Sequence, residues 1–168
     1  RTSHSTSSNL NERVQHVKCS THACNGKITT HFEDCENAVL QAIQDASSVV
    51  ACVAWITNEK LLRAMYKTPS KVIVTSDPVH RRNAAKLRKL REARIVGTAR
   101  GRFRPLMHCK FIVGLDTENQ PQFVLIGSFN YTVHSTRNLE AMVRIDDSTI
   151  ARSFYIEWQR IRQISRPI

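Results

Sequence analysis

No uninterrupted apolar stretch in this 168-residue sequence is longer than Val49–Ile56. A helix that crosses a bilayer needs about 20 apolar residues in succession, so a transmembrane helix is excluded. The charged, apolar and small-residue regions of a secretory signal are also missing from the N-terminus. A start at Arg1 rather than Met fits a processed or excised piece of a longer chain. Paired Cys-x-x-Cys spacing, the mark of a strong zinc site, is absent too. Five cysteines make an odd set, and Cys52 lies inside the apolar run, where a reduced core thiol fits. A disulfide framework is therefore not expected, and a reducing, cytoplasmic compartment is. Cys19, His22, Cys24, His31 and Cys35 cluster near the N-terminus. Without the paired spacing they read as free thiols and imidazoles rather than as a metal site. Acids are scarce: 14 Asp and Glu stand against 25 Lys and Arg, for a net charge of +11.

The remaining composition is that of a folded protein, with 41% hydrophobic and 23% charged residues. The length fits one domain at about 100–200 residues per domain. Residues 1–26 read as a polar N-terminal extension and 27–168 as the single domain, with no internal repeat. The positive charge is concentrated. Val79–Lys110 holds eleven basic residues and one acid, Glu92. A solvated helix face is the ordinary reading of a charge run. So dense a positive field also attracts polyanions, because neutralised phosphates release their condensed counterions. Nucleic acid is the expected partner, and an anionic membrane surface is the competitor.

Hydrophobic periodicity places the elements. Strands are expected over Lys27–Phe32, Ser48–Ile56, Lys71–Thr75, Arg94–Gly97, Leu106–Leu115, Gln122–Ile126 and Leu139–Ile145. Helices are expected over Glu36–Ala46, Asn58–Tyr66 with Asn58 as N-cap, Val79–Glu92 and Ser148–Ile161. Strands alternating with helices imply an α/β fold, a mixed β-sheet flanked by helices on both faces. Trp55 and Trp158 read as core, and Phe129 and Tyr131 as packing residues. His80 belongs to the start of the basic helix.

The chemistry concentrates between Leu106 and Ile145. On a strand, residues two apart share a face, so His108 and Lys110 point together and Cys109 faces away with Phe111 and Val113. Gly127-Ser128-Phe129-Asn130 follows the next strand and offers a close backbone approach with two small polar side chains. Asn138-Leu139-Glu140 then adds a carboxylate. Imidazole, ammonium, amide, hydroxyl and carboxylate together suit attack on a phosphodiester. The His can be the nucleophile. Lys and Asn can neutralise charge on the non-bridging oxygens, and a carboxylate can fix the imidazole tautomer. Arg100, Arg102 and Arg104 alternate just before this segment and are expected to contact phosphate, as are Arg81 and Arg82. His134 is a further candidate contact.

His108-x-Lys110 followed by Gly127-Ser128-x-Asn130 resembles the active-site motif of the phospholipase D superfamily, and most closely its small, single-motif nuclease branch. The likeness runs from about Lys27 to Ile161. It implies a phospholipase D-like sandwich and a symmetric homodimer, since one chain carries half of a two-motif site. It implies a metal-independent endonuclease that works through a covalent phosphohistidine on His108 and needs no cofactor. The second His108 then serves as acid and base, paired Lys110 and Asn130 bind phosphate, Ser128 assists and Glu140 orients His108. A lipid phosphodiesterase acting on cardiolipin and a catalytically silent nucleic-acid-binding module are the alternatives. No amphipathic insertion helix is evident, so stable membrane insertion is not expected. A cleavage domain of a larger restriction or defence enzyme is also consistent with the sequence. In one place the motif departs from the family: the Asp expected five residues after the Lys is displaced to Asp116, with Leu115 in its place. A strand bulge near Gly114 is needed to restore register.

Overall fold

The computed structural model describes residues 27–97 and 106–168. The polar extension, Cys19, His22, Cys24, Arg100, Arg102 and Arg104 lie outside the described residues. Eight strands form one mixed sheet: β1 (Ile28–His31), β2 (Ser48–Val53), β3 (Ser70–Thr75), β4 (Glu92–Val96), β5 (Lys110–Leu115), β6 (Pro121–Gly127), β7 (Met142–Ile145) and β8 (Arg166–Pro167). Their spatial order is β1-β7-β6-β5-β2-β3-β4-β8. β2, β3 and β4 run parallel, and the remaining pairs are antiparallel.

Side-chain alternation divides the core into two layers. Val49, Ala51 and Val53 pack on one face with helices α1 (Cys35–Gln44), α2 (Glu59–Lys67) and α4 (Ala84–Leu87), and the short α3 (Pro78–Arg82) precedes α4. Val50 and Cys52 turn to the other face, against Trp158 and Ile161 of the long helix α5 (Ser148–Gln163). A sheet apolar on both faces must be covered on both, which is why the β2 sequence reads as a continuous hydrophobic run. Asn58 caps α2 as expected: its Oδ1 accepts from the Lys60 and Leu61 amides at 2.9 and 3.3 Å. Such a cap is worth about 1 kcal/mol. Leu61, Leu62 and Met65 face the core.

Several expectations need correction. The single helix over Val79–Glu92 is two short ones, and Glu92 opens β4. Asn83 interrupts it, donating from Nδ2 to the Val79 carbonyl at 2.9 Å; amide side chains that compete with the backbone in this way disfavour helix interiors. β5 begins at Lys110 rather than Leu106, and β7 at Met142 rather than Leu139. β8 was not expected; it pairs with β4, and the Ile168 amide donates to the Ala93 carbonyl at 3.1 Å. The register does shift beside Gly114: Gly114 faces Phe123 while Leu115 faces Pro121, so Gln122 is the extra residue and the bulge sits on β6. Asp116 accordingly closes the hairpin, accepting from the Glu118 and Gln120 amides at 2.9 and 2.8 Å.

His80 is fully buried. Its Nδ1–H donates to the Thr75 carbonyl at 2.8 Å, and Nε2 accepts from the Ile56 amide at 3.3 Å. Acceptance at Nε2 requires the neutral ring, and burial holds its pKa below the usual imidazole value, with the Thr75 hydrogen bond and Asp77 opposing the shift. In the unfolded chain the same group titrates near 6.5. Between that value and the lower folded one, only the unfolded state takes up the proton. Stability contributed by His80 is thus present above pH about 6.5 and is lost as pH falls through the folded value. Urea titrations from pH 7.5 to 5 should show a steeper loss of stability in wild type than in His80→Gln.

Candidate active site

The topology gathers the chemistry at one end of the sheet. β5 and β7 begin where β2, β3, β4 and β6 finish, because Lys110 pairs with Val53 and Met142 with Gly127. His108 and Lys110 therefore meet the Gly127–Tyr131 turn and the Asn138–Glu140 segment there.

Lys110 is only 6% exposed. Lysine is rarely buried without partners, and this one is well supplied. Its Nζ donates to the His108 carbonyl at 2.8 Å and lies 3.2 and 3.3 Å from the two ring nitrogens of the same imidazole. Burial lowers its pKa below the usual lysine value, and the Glu140 charge opposes that shift. Ammonium and imidazole do share a side of the strand, and Phe111 and Val113 pack on the opposite face. Cys109 is an exposed thiol; partial burial and the nearby Glu157 carboxylate raise its pKa.

The turn after β6 is held by backbone. The Ser128 amide donates to the Ala141 carbonyl at 2.9 Å, and the Ala141 amide donates to Ser128 Oγ at 3.1 Å. Ser128 Oγ in turn donates to the Glu140 carboxylate, whose other oxygen accepts from Asn138 Nδ2 at 3.2 Å. Glu140 thus hydrogen-bonds Ser128 and Asn138 instead of His108, unlike the orienting role that the family resemblance implies. The cross-strand pairing of Gly127 with Met142 sets Ser128 directly beside the Glu140 segment, so the hydroxyl takes the carboxylate. Asn130 Oδ1 is buried and has no hydrogen-bond partner. Buried polar atoms are normally satisfied, and this acceptor, like the Tyr131 hydroxyl in the same turn, is an exception. Phe129 and Tyr131 are core residues, as expected.

Arg81 and Arg82 are exposed at the end of α3, one and two residues beyond the buried His80 that bonds Ile56. His134 is exposed on a 3-10 turn, His134–Arg137, outside this hydrogen-bond network. Trp55, read from sequence as core, is half-buried, and its ring lies 5.6 Å from that of His108 at 78°. Two clefts meet at His108 and Cys109. One of about 700 Å³ is lined by Val96, Met107 and Ile161, with Leu106 and Ile164 exposed at its edge. The other, of about 380 Å³, is lined by Lys110, Gly127 and Phe154. Among the described residues, no group of three or more His, Cys, Asp or Glu could hold a metal ion. None of their helices is long and apolar enough to cross a membrane.

Comparison with known proteins bears on the family and the fold. A family model described as "Cardiolipin synthase, PLD-like domain" matches residues 21–162. No curated protein matches the sequence. Among solved structures the chain is similar to Nuc, a phospholipase D family member from Salmonella typhimurium, with a TM-score of 0.69 and 20% identity over 84% of this chain and 97% of that one. It is also similar to NucT from Helicobacter pylori, with a TM-score of 0.67 and 16% identity over 84% and 99% of the two chains. TrmBL2, an archaeal chromatin protein whose structure shows a novel mode of DNA binding, aligns with a TM-score of 0.54 and 14% identity over 95% of this chain and 60% of that one.

Proposed function

The chain belongs to the phospholipase D-like family of phosphodiesterases, and from that premise we propose that it is a metal-independent endonuclease with His108 as nucleophile. One observation carries the reading: a nearly buried Lys110 ammonium held against the His108 ring where two clefts meet. A charge placed there is positioned to meet a phosphate oxygen rather than solvent. A ring nitrogen of His108 attacks phosphorus, a P–N bond forms and the P–O bond to the leaving oxygen breaks. Water then attacks the phosphohistidine, the P–N bond breaks and the imidazole is regenerated. Lys110 neutralises the non-bridging oxygens as charge builds, and Asn130 donates to them from its amide nitrogen. Ser128 and Glu140 hold that turn in place.

Among the described residues, His108 is the imidazole set against Lys110. Protonation of the leaving oxygen and deprotonation of water fall to the partner subunit's His108 in a symmetric dimer. Nucleic acid is favoured as substrate by the +11 charge and its concentration between Val79 and Lys110. Exposed Arg81 and Arg82, together with Arg100, Arg102, Arg104 and His134, are the proposed phosphate contacts. A lipid phosphodiester such as cardiolipin is the second reading, favoured by the apolar cleft beside His108 and the description of the matching family model.

The test incubates the protein in excess EDTA with DNA, RNA and cardiolipin vesicles, and measures its mass by light scattering. Cleavage of DNA or RNA by a species of twice the 19.2 kDa chain mass is expected. Turnover of cardiolipin alone would transfer the site to lipid. Tight, salt-sensitive DNA binding with no turnover would make it a silent binding module. Full activity in a monomer would contradict the shared site.

A further inference from the structure

We infer that Trp55 is a positioning residue for His108, an aromatic wall that fixes the orientation of the imidazole. The inference rests on the reading of His108 as the nucleophile. A nucleophilic ring must present one nitrogen along a narrow line of attack, so something must restrict its rotation about the Cβ–Cγ bond. The carboxylate that could do this, Glu140, is engaged by Ser128 and Asn138. Among the described residues, Lys110 and Trp55 hold side-chain contacts to the imidazole. Lys110 Nζ lies at nearly equal distance from both ring nitrogens, 3.3 and 3.2 Å, and does not favour either nitrogen by distance. The Trp55 ring stands 5.6 Å away at 78°, the near-perpendicular arrangement that aromatic pairs favour. Among the described residues it is the aromatic ring paired with the imidazole, and a bulky ring so placed restricts its rotation.

A wall must itself be fixed, and the backbone around Trp55 is tied to three other segments. The Ala54 amide donates to the Cys109 carbonyl at 3.0 Å, beside His108 itself. The Trp55 carbonyl accepts from the Tyr131 amide at 3.0 Å, and the Thr57 and Asn58 amides both donate to the Tyr131 carbonyl at 2.9 Å. The Ile56 amide donates to the buried His80 ring at 3.3 Å. The segment between β2 and α2 thus joins the His108 strand, the Gly127–Tyr131 turn and α3. Trp55 is the aromatic residue of that segment, and it is half-buried rather than enclosed in either core layer.

The test compares Trp55→Ala and Trp55→Phe with wild type on bis(p-nitrophenyl) phosphate, which has no base to stack, and on a DNA duplex. A small displacement of a reacting group can cost on the order of a hundredfold in rate. Trp55→Ala should lower kcat by roughly tenfold to a hundredfold on both substrates, with KM essentially unmoved, and Trp55→Phe should recover most of the loss. A rise in KM on DNA alone, with the small substrate untouched, would overturn the inference and make Trp55 a base-stacking surface. Nitrogen NMR of the His108 ring, without substrate, reads the wall directly. Ring signals that shift or broaden in Trp55→Ala and return in Trp55→Phe support it; signals unchanged in both overturn it. If wild type cleaves no phosphodiester, the nucleophile reading fails, while the ring signals still decide whether Trp55 holds the imidazole.

Discussion

His108→Ala should abolish phosphodiester cleavage, with kcat/KM reduced at least on the order of a thousandfold, while the fold and nucleic-acid binding persist. Removing a nucleophile leaves only binding and electrostatic stabilisation, and no other side chain of the cluster can take its place. Ser128 Oγ already donates to Glu140, Lys110 is a cation against the imidazole, and the Cys109 thiol is held protonated by its surroundings and lies on the other side of the strand from Lys110. The substitution is structurally mild, since His108 precedes β5 and makes none of its ladder bonds. The thermal midpoint should stay close to that of wild type. Lys110 loses a hydrogen-bonding neighbour but keeps the backbone carbonyl of residue 108 at 2.8 Å. The proposed nucleic-acid binding should remain and stay salt-dependent, because the phosphate contacts proposed for it are arginines elsewhere on the chain. Cleavage that survived the substitution at even a tenth of the wild-type rate would remove His108 from the centre of the reaction.

Gly127→Ala should cost the most stability of any single-methyl addition near the site. A Cβ at Gly127 would overlap the Ala141 carbonyl oxygen and stand 2.7 Å from Met142 Cα. Both are backbone atoms of the adjoining strand, and they cannot rotate away as a side chain can. Overpacking of this kind costs about 3 kcal/mol when backbone must move. For a chain of this length that is a fall in Tm of roughly 6–12 °C. The loss should reach the chemistry as well. Pushing Ala141 away breaks its reciprocal bonds with Ser128, and with them the placement of Glu140 and Asn130. Gly97→Ala is the comparison. Gly97 has φ +92°, a left-handed backbone that disfavours a side chain, yet an added Cβ meets nothing nearer than Ser76 Cβ at 3.7 Å. It should cost about 1–2 kcal/mol and leave activity intact. Equal losses in the two variants, by thermal unfolding, would show that close approach at Gly127 does not organise the turn.

Much of this was legible in the residues because local physics and tertiary structure agreed. The β-branched, doubly apolar stretch after Ser48 could only be a strand covered on both faces. Asn58 ahead of Leu61, Leu62 and Met65 was a cap before an amphipathic turn. The two-residue period put His108 and Lys110 on one side, and the structure has them in contact. What was not legible depended on competitors that periodicity does not see. Asn83 turns its amide onto Val79 and splits a helix that the apolar spacing continued. β8 follows a helix end and consists of Arg166 and Pro167, with no apolar alternation to announce it. The bulge that accommodates Asp116 lies on the facing strand, at Gln122. Glu140 and Ser128 find each other across β6 and β7, a partnership that neither segment shows alone. Trp55 looked like core because it lies inside the apolar run Val49–Ile56. Its contact with His108 depends on the pairing of β2 with β5.

The most direct test of the central claim is to trap the covalent intermediate. Wild-type protein mixed with a phosphodiester in EDTA is quenched into alkaline denaturant, where phosphohistidine survives, and its peptides are mapped by mass. An adduct on His108 is expected whose phosphorus still carries the uncleaved ester half of the substrate, and it should be lost in His108→Ala. An adduct on Cys109 or any other residue during turnover would contradict it.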